Sequence, residues 1–226
     1  MRFFAATIVP VVALSLALLR PSFARAEHIP FGVRLEQRDY EVIKRWDGVT
    51  VYKHRAASEI RLAAETQLPA PPDQVMAVLL DYPAQVGHIK RLAESRVLAR
   101  GRNWLRVYQR LSLPVIDDRD FTLRVTWGVD RERGVSFIDY HAVPVGSPPR
   151  SGVVRVSWHE GTWLLRPADG GRATLVRFTV RMDMAGSVPR WMVRGGSAKE
   201  LPSLFQSFRG LLARSSERRV SWVPSR

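Results

Sequence analysis

Hydrophobic positions near the carboxyl end of the chain predict one long amphipathic helix, from Val188 to about Arg214. Ser187 is a residue type that caps the amino termini of helices, and Pro189 suits a first helical turn, where its missing N–H removes no hydrogen bond. Apolar residues then recur in steps of three and four along one face: Val188, Trp191, Met192, Gly195, Ala198, Leu201, Leu204, Phe205, Phe208, Leu211 and Leu212. This face must pack on another part of the protein.

The same helix contains residues that weaken it, namely Gly195, Gly196 and Pro202. An interior glycine lowers helix stability by about 1 kcal/mol and a proline by about 3 kcal/mol. We therefore expect a kink or break in this stretch. Two interpretations stay open: a bend that follows a curved sheet, or a hinge that lets the helix lift like a lid.

The first third of the chain predicts a mixture of helices and strands. An amphipathic helix over 35–46 would bury four apolar residues, Leu35, Tyr40, Ile43 and Trp46. Asp47-Gly48 would end that helix in a turn. Two antiparallel strands are expected at 49–54 and 60–68, then a helix over 73–81 and a short helical bridge through His88 and Ile89.

Alternation of apolar and polar residues dominates the middle of the chain and predicts six strands, at 93–100, 104–113, 121–127, 135–141, 153–165 and 175–182. Glycine, proline and asparagine occupy the breaks between them. This spacing favours consecutive antiparallel neighbours, a meander without crossover units. The predicted fold is therefore α+β, with a helix-grip architecture in which a curved antiparallel sheet wraps around the long C-terminal helix.

Length and composition add the expected domain count and an export signal. The chain has 226 residues, of which 46% are hydrophobic, enough for a single domain with one sizeable core. Arg2 precedes an apolar run over 8–19, and Ala24-Arg25-Ala26 offers small residues at a cleavage site before Glu27. This pattern predicts a cleaved signal peptide and a periplasmic or secreted protein, with an uncleaved membrane anchor as the alternative. The chain has no cysteine, so no disulfide can form.

Charge narrows the expected partners. The formal net charge is +14, from 35 basic and 21 acidic residues, and such a balance favours anionic surfaces. We expect transient contact with an anionic membrane surface. Nucleic acid is not an expected partner, because export removes the protein from it and no binding motif is recognisable.

Three ordered motifs resemble the START family, the lipid-transfer domains related to the steroidogenic acute regulatory protein. The segment 113–121 (LPVIDDRDF) resembles the family's segment that ends in Arg-Asp-Phe or Arg-Asp-Tyr. The segment 161–167 (GTWLLRP) resembles its Gly-x-Trp-x-x-x-Pro strand, and 183–193 (DMAGSVPRWMV) resembles the start of its last helix, with Met184-Ala185 in place of Pro-Gly. The opening 46–52 (WDGVTVY) fits as well. The resulting domains are a signal peptide at 1–26, a linker at 27–34, a START-like domain at 35–214 and a basic tail at 215–226.

The resemblance implies an apolar tunnel between sheet and final helix that holds one lipid or sterol-like molecule. Large side chains that share inward strand faces can line such a tunnel, or they can pack a solid core. Together with a methionine of the last helix and an arginine, they form the predicted ligand-binding set: Arg119, Phe121, Val125, Trp127, Ile138, Tyr140, Trp158, Phe178 and Met192.

Polar residues near the predicted tunnel have two possible roles. Arg119 and Asp120 occupy the family's Arg-Asp position, where Arg119 either pins the end of a strand through an ion pair or turn, or binds a polar group of the ligand. His141, His159 and Glu160 are further polar candidates near strand centres. We expect Trp163 and Pro167 to be structural. No spacing of His, Cys or Asp resembles a metal site, and no cofactor is expected.

The predicted function is therefore to bind one hydrophobic ligand and to transfer or sense it in the periplasm, as a monomer and without catalysis. Neither a nucleophile elbow nor a glycine-rich phosphate loop is present in the sequence. Two alternatives stay open. One is an enzyme like the polyketide cyclases and aromatases of the same superfamily; the other is a basic membrane or protein interaction module without a ligand.

Overall fold

The structure, a computed structural model, describes residues 28–144, 146, 148–186, 188 and 197–217. Ten strands and two α-helices make up this part of the chain. The strands are β1 Tyr40–Trp46, β2 Val49–His54, β3 Ile60–Leu68, β4 Leu92–Gly101, β5 Trp104–Leu111, β6 Asp118–Asp130, β7 Val135–Ala142, β8 Val153–Arg155, β9 Trp158–Ala168 and β10 Ala173–Asp183. The helices are α1 Pro72–Leu80 and α2 Ser197–Glu217, with short 3-10 turns at Leu35–Arg38, Pro83–Gln85 and Asp169–Gly171.

Nine strands form one curved antiparallel sheet in the order β1-β2-β3-β10-β9-β7-β6-β5-β4, and the short strand β8 pairs in parallel with the start of β6. Strands β4 to β7, β9 and β10 follow one another as a meander, as predicted. Strand β3 closes the order by pairing with β10. Helices α1 and α2 contact each other, and both contact strands of this sheet. The predicted helix-grip fold is confirmed.

The amino-terminal helix predicted over 35–46 is wrong. Only a 3-10 turn forms at Leu35–Arg38, and β1 follows it. Strand β1 pairs with β2 across a tight turn in which Asp47 and Gly48 both have positive φ, so the turn was identified correctly but joins two strands. Of the four residues expected to be buried, Leu35 and Tyr40 are buried, whereas Ile43 and Trp46 are more than 40% exposed. Hydrogen bonding of β1 to β2 contributes more to stability than the weak helix preference that the spacing of apolar residues indicates.

The strand predicted at 153–165 is divided. Strand β8 ends at Arg155 and β9 begins at Trp158, so the alternation of inward and outward side chains changes phase between them. Val156 is buried, whereas Trp158 is 40% exposed. The other predicted strands and the helix over 73–81 are present with end points shifted by a few residues, except that β6 is extended at both ends.

Helix α2 provides the predicted apolar face in its described part. Leu201, Phe205, Phe208 and Leu212 are buried against the sheet side, and the helix continues through Pro202. The predicted helix start at Val188 and the expected break at Gly195-Gly196 fall in a stretch of which only residue 188 lies within the described residues. None of the described helices is long and apolar enough to cross a bilayer.

The segment 28–34, predicted as a linker, packs on the outer face of the sheet. Ile29 is 1% exposed and belongs, with Leu35 and Tyr40, to a second apolar cluster separate from the main core. Arg177 on β10 donates hydrogen bonds to the carbonyl oxygens of Ile29, Pro30 and Val33. These contacts fasten the segment, so the sheet has apolar cover on both faces at this point.

Candidate functional site

A cavity of about 290 Å³ lies between the inner face of the sheet, helix α2 and the segment 79–92. Its volume is at the lower end of the range of about 300–1,000 Å³ that is typical of small-molecule sites. Most of its wall is apolar and comes from the strands and from α2: Ile60, Leu62, Leu79, Ile89, Leu92, Leu111, Leu113, Phe121, Leu123, Trp163, Phe178, Val180, Met182, Met184, Leu201, Leu204 and Phe208. Such a wall suits one hydrophobic molecule.

Stacked aromatic rings form one part of this wall. The rings of Trp163 on β9 and Phe178 on β10 stack with centroids 4.1 Å apart, because these residues pair directly across the two strands. Phe205 and Phe208 of α2 meet the Trp163 ring edge-on, at 5.9 and 5.5 Å. Trp163, which we expected to be structural, therefore both fixes α2 on the sheet and lines the cavity.

The wall also contains five uncharged polar side chains. Two of them are Gln85 and Gln109, and we call the other three, Tyr82, Tyr140 and His159, the neutral polar cluster. The His159 ring is edge-on to Phe121 and to Tyr140, with centroids 4.5 and 5.2 Å away. Burial in these surroundings lowers the pKa of His159 to about 3, so the imidazole is neutral at physiological pH. Burial likewise raises the pKa of both phenols, and the Tyr82 phenol adds to the rise at Tyr140.

Charged side chains occur at another part of the wall, where Lys90, Arg91 and Glu200 form what we call the charged rim. Arg91 Nε donates to Glu200 Oε1 at 2.6 Å, and Lys90 Nζ lies 3.8 Å from the same oxygen. This ion pair joins α2 to the loop that precedes β4. Two further contacts reinforce the junction: Ser207 Oγ donates to the His88 carbonyl oxygen at 2.7 Å, and Arg214 Nη2 lies 3.1 Å from His88 Nδ1.

Arg119 lies outside the cavity wall, beside the chain that leads toward α2. Its guanidinium, on a residue 1% exposed, donates to three backbone carbonyl oxygens. Nε bonds to Met184 at 2.8 Å, Nη2 to Ala185 at 3.1 Å and Nη1 to Asp117 at 2.6 Å. Arg119 thus ties β6 to the segment that follows β10, and Met184 of that segment lines the cavity.

Asp120, the other member of the Arg-Asp motif, faces the opposite side of the sheet and pairs with a different arginine. Arg155 donates to both carboxylate oxygens at 2.8 and 2.7 Å, and the Tyr108 hydroxyl donates to one of them at 3.2 Å. Burial acts to raise the pKa of Asp120, but the hydrogen bonds and charge of Arg155 hold it below its usual value. The motif therefore makes two separate connections.

The predicted ligand-binding residues divide into five groups. Phe121, Tyr140 and Phe178 line the cavity. Val125 and Ile138 are buried, and Trp127 is partly buried, but all three lie in the solid core outside the cavity wall. Trp158 is on the outer face, where the Arg181 guanidinium lies 3.9 Å from its ring centroid. Met192 lies outside the described residues, and Arg119 binds backbone.

Position along each strand explains this division. On β6, Phe121 and Leu123 face the cavity, whereas Val125 and Trp127 lie further along the same face, in the filled core. The strand alternation identified the correct face but carries no information on how far along it the helices fill the space. Trp158 faces outward because of the phase change between β8 and β9.

Several cavity residues were not in the predicted set. Tyr82 follows α1, Gln109 and Leu111 lie on β5, and Leu201 and Leu204 lie on α2. The inward alternation of β5 and the apolar stripe of α2 are the signals that could have identified the last four. Within the described ranges, no three His, Cys, Asp or Glu side chains come close enough together to hold a metal ion.

The chain matches a known family model. The family model described as polyketide cyclase / dehydrase and lipid transport matches residues 68–209. The match begins at the end of β3 and includes α1, the meander, the first thirteen residues of α2 and most of the cavity wall. No curated protein sequence matches the chain.

Solved structures share the fold. A STAR-related lipid transfer protein from Xanthomonas axonopodis superposes with a TM-score of 0.70 at 24% identity, over 77% of this chain and 99% of that one. Human STARD10 superposes with a TM-score of 0.72 at 16% identity, over 89% of each chain. Human StAR-related lipid transfer protein 5 superposes with a TM-score of 0.69 at 13% identity, over 80% of this chain and 92% of that one. These similarities establish a START-like domain fold.

Proposed function

Because the chain belongs to the polyketide cyclase / dehydrase and lipid transport family and has a START-like fold, we propose that it is a carrier of one hydrophobic molecule. The observation that carries the proposal is the apolar cavity of about 290 Å³ between sheet and α2. The solved structures of this fold named as lipid transfer proteins support the same activity.

Energetics explain why a carrier needs an enclosed cavity. Moving one buried methylene group into water costs about 0.8 kcal/mol, so a twelve-carbon chain costs about 10 kcal/mol. A carrier must therefore surround nearly the whole apolar surface of its ligand with apolar protein atoms. The aromatic stack around Trp163 and the aliphatic side chains of β3, β10 and α2 provide a surface of this kind.

Ligand exchange requires the cavity to open, and the charged rim lies at the junction that would have to part. The Arg91–Glu200 ion pair and the two contacts of His88 hold α2 to the loop before β4. They are polar and partly exposed, so water can replace them at small cost. Movement of α2 away from this loop would expose Leu201 and Leu204, which line the cavity.

The site of action belongs to the same proposal. The amino-terminal sequence pattern favours export. Removal of residues 1–26 takes away Arg2, Arg20 and Arg25, so the formal net charge becomes 14 − 3 = +11, which still favours contact with anionic membranes. The carrier would then take a ligand from one membrane surface and release it at another across the periplasm.

Native mass spectrometry of the protein purified from a bacterial periplasm tests the proposal, followed by solvent extraction of the bound molecule. We expect one hydrophobic molecule per chain, recovered chemically unchanged after prolonged incubation. A bound molecule that is converted during incubation would favour a cyclase-type enzyme. A protein that stays empty after incubation with mixed lipid vesicles would refute the carrier.

A matched pair of variants links binding to the cavity. Leu204→Trp adds bulk inside the cavity, whereas Val129→Trp introduces the same side chain at a residue that is 64% exposed. We expect the first to lose at least tenfold in ligand occupancy and the second to bind as the unmodified protein does. Equal occupancy in both variants would place the ligand elsewhere.

A further inference from the structure

The neutral polar cluster has hydrogen-bonding capacity that the protein leaves unused. His159 Nδ1 is buried and has no hydrogen-bond partner among the described residues. Tyr82 and Tyr140 line the same cavity, and both residues are less than 10% exposed. Buried polar groups of this kind are normally satisfied, and leaving one unpaired costs about 1–3 kcal/mol.

The fold makes room for this cluster. Gly161 on β9 pairs with Tyr140 on β7, and a Cβ at Gly161 would lie 2.3 Å from the Tyr140 hydroxyl oxygen and 2.4 Å from the Thr179 carbonyl oxygen. The absence of a side chain at Gly161 therefore lets the Tyr140 phenol lie across β9. His159 precedes Gly161 by two residues and faces the same side, so the imidazole and the phenol meet.

The cluster is uncharged, and this limits the chemistry it can bind. The pKa of His159 is lowered to about 3 and those of the two phenols are raised, so all three groups are neutral between about pH 5 and pH 9. A phosphate or carboxylate buried here would lack a countercharge, which is costly in a low-dielectric site. The cationic wall residues are at the charged rim, and Arg91 there already pairs with Glu200.

From these contacts we infer that the cavity binds a neutral amphiphile whose hydroxyl or carbonyl group hydrogen-bonds to Tyr82, Tyr140 and His159. An imidazole and two phenols can both donate to and accept from such a group, so either an alcohol or a ketone satisfies them. Charged lipids that place their head group in the cavity are disfavoured. The inference rests on the proposed carrier function and specifies its ligand class.

A matched set of twelve-carbon probes tests the inference: dodecane, dodecanol and dodecanoate, each measured by displacement of a fluorescent hydrophobic probe from the full-length mature protein. We expect dodecanol to bind more tightly than dodecane and dodecanoate. Tyr140→Phe removes one oxygen and keeps the ring. It should therefore lower the affinity for dodecanol about fivefold, as expected for the loss of one hydrogen bond, and leave the affinity for dodecane unchanged. His159→Phe should act in the same direction.

Tyr52→Phe is the control, because its hydroxyl bonds to Glu65 at 2.8 Å outside the cavity wall. It should leave all three affinities unchanged. Dodecanoate binding most tightly, with that affinity lost in Arg91→Gln, would overturn the inference and place a charged head group at the rim. Equal affinities that do not change in Tyr140→Phe would overturn it while the carrier proposal stands. Failure of every probe to bind would refute both.

Discussion

Replacement of Arg119 by leucine distinguishes two roles of the Arg-Asp motif. A ligand-binding arginine would lose ligand affinity without loss of stability, whereas an arginine that fastens the backbone would lose stability first. The structure places the guanidinium against the carbonyl oxygens of Asp117, Met184 and Ala185 and outside the cavity wall. We therefore expect Arg119→Leu to act mainly on stability.

The magnitude follows from these three hydrogen bonds. Each contributes about 1 kcal/mol net, and all three carbonyl oxygens lose this donor together, so the free energy of unfolding should fall by about 3 kcal/mol. For a domain of this size, 1 kcal/mol corresponds to about 2–4 °C, which gives a decrease in Tm of about 6–12 °C. Arg119→Lys keeps the charge without the planar fork and should lose part of this amount.

Urea denaturation of both variants measures the change, and hydrogen exchange at residues 184–186 locates it. Exchange should accelerate at Ala185 in Arg119→Leu, because that segment is released from β6. Ligand affinity, measured at a temperature where the variant is folded, should change less than threefold. An unchanged Tm with a tenfold or greater loss of affinity would refute this reasoning and restore Arg119 as a ligand-binding residue.

Three further predictions use other parts of the cavity. Gly161→Ala should lower the free energy of unfolding, measured by urea denaturation, by about 2 kcal/mol or more, because two oxygen atoms would lie within 2.4 Å of the new Cβ. Gly32→Ala is the control and should be neutral, because no described atom lies within 4 Å of its Cβ position. The pKa of His159 is about 6.5 in the unfolded state but about 3 in the folded state, so the free energy of unfolding should fall by about 2 kcal/mol between pH 7 and pH 5. His159→Phe should remove this pH-dependent loss of stability. An identical pH profile in the variant would contradict the burial of a neutral imidazole at this position. Glu200→Gln breaks the ion pair with Arg91, so the rate of ligand release in stopped-flow measurements should rise about fivefold. The free energy of unfolding should change by less than about 1 kcal/mol. An unchanged release rate would argue against opening at the charged rim.

Much of the fold could be predicted from the sequence, because most strands carry their own signal. Alternation over 104–111 or 175–182 reflects a strand with one face on the core, wherever its neighbours lie. The turn at Asp47-Gly48 was likewise visible from residue type. The segment 35–46 was not, since its spacing fits a helix and only pairing with β2 makes it a strand.

The candidate site was predicted less completely. Phe121, Tyr140 and Phe178 were identified because they lie on inward faces of regular strands. Trp158 was misplaced because two residues between β8 and β9 change the phase of the alternation, a detail that no local pattern records. Tyr82 lies in a turn after α1, where no periodicity indicates the direction of its side chain.

The sequence by itself determined the inward face of most strands and the START-like architecture, because face alternation and short motifs are local properties. Only the tertiary structure decided where the concave face is filled and where it is open. The filled and open parts of the face depend on how α1, α2 and the loop before β4 pack on the sheet. This packing is the combined result of many contacts between residues far apart in the chain. For the same reason the tertiary structure decided that Arg119 binds backbone carbonyls and that His159 is a neutral member of the cavity wall.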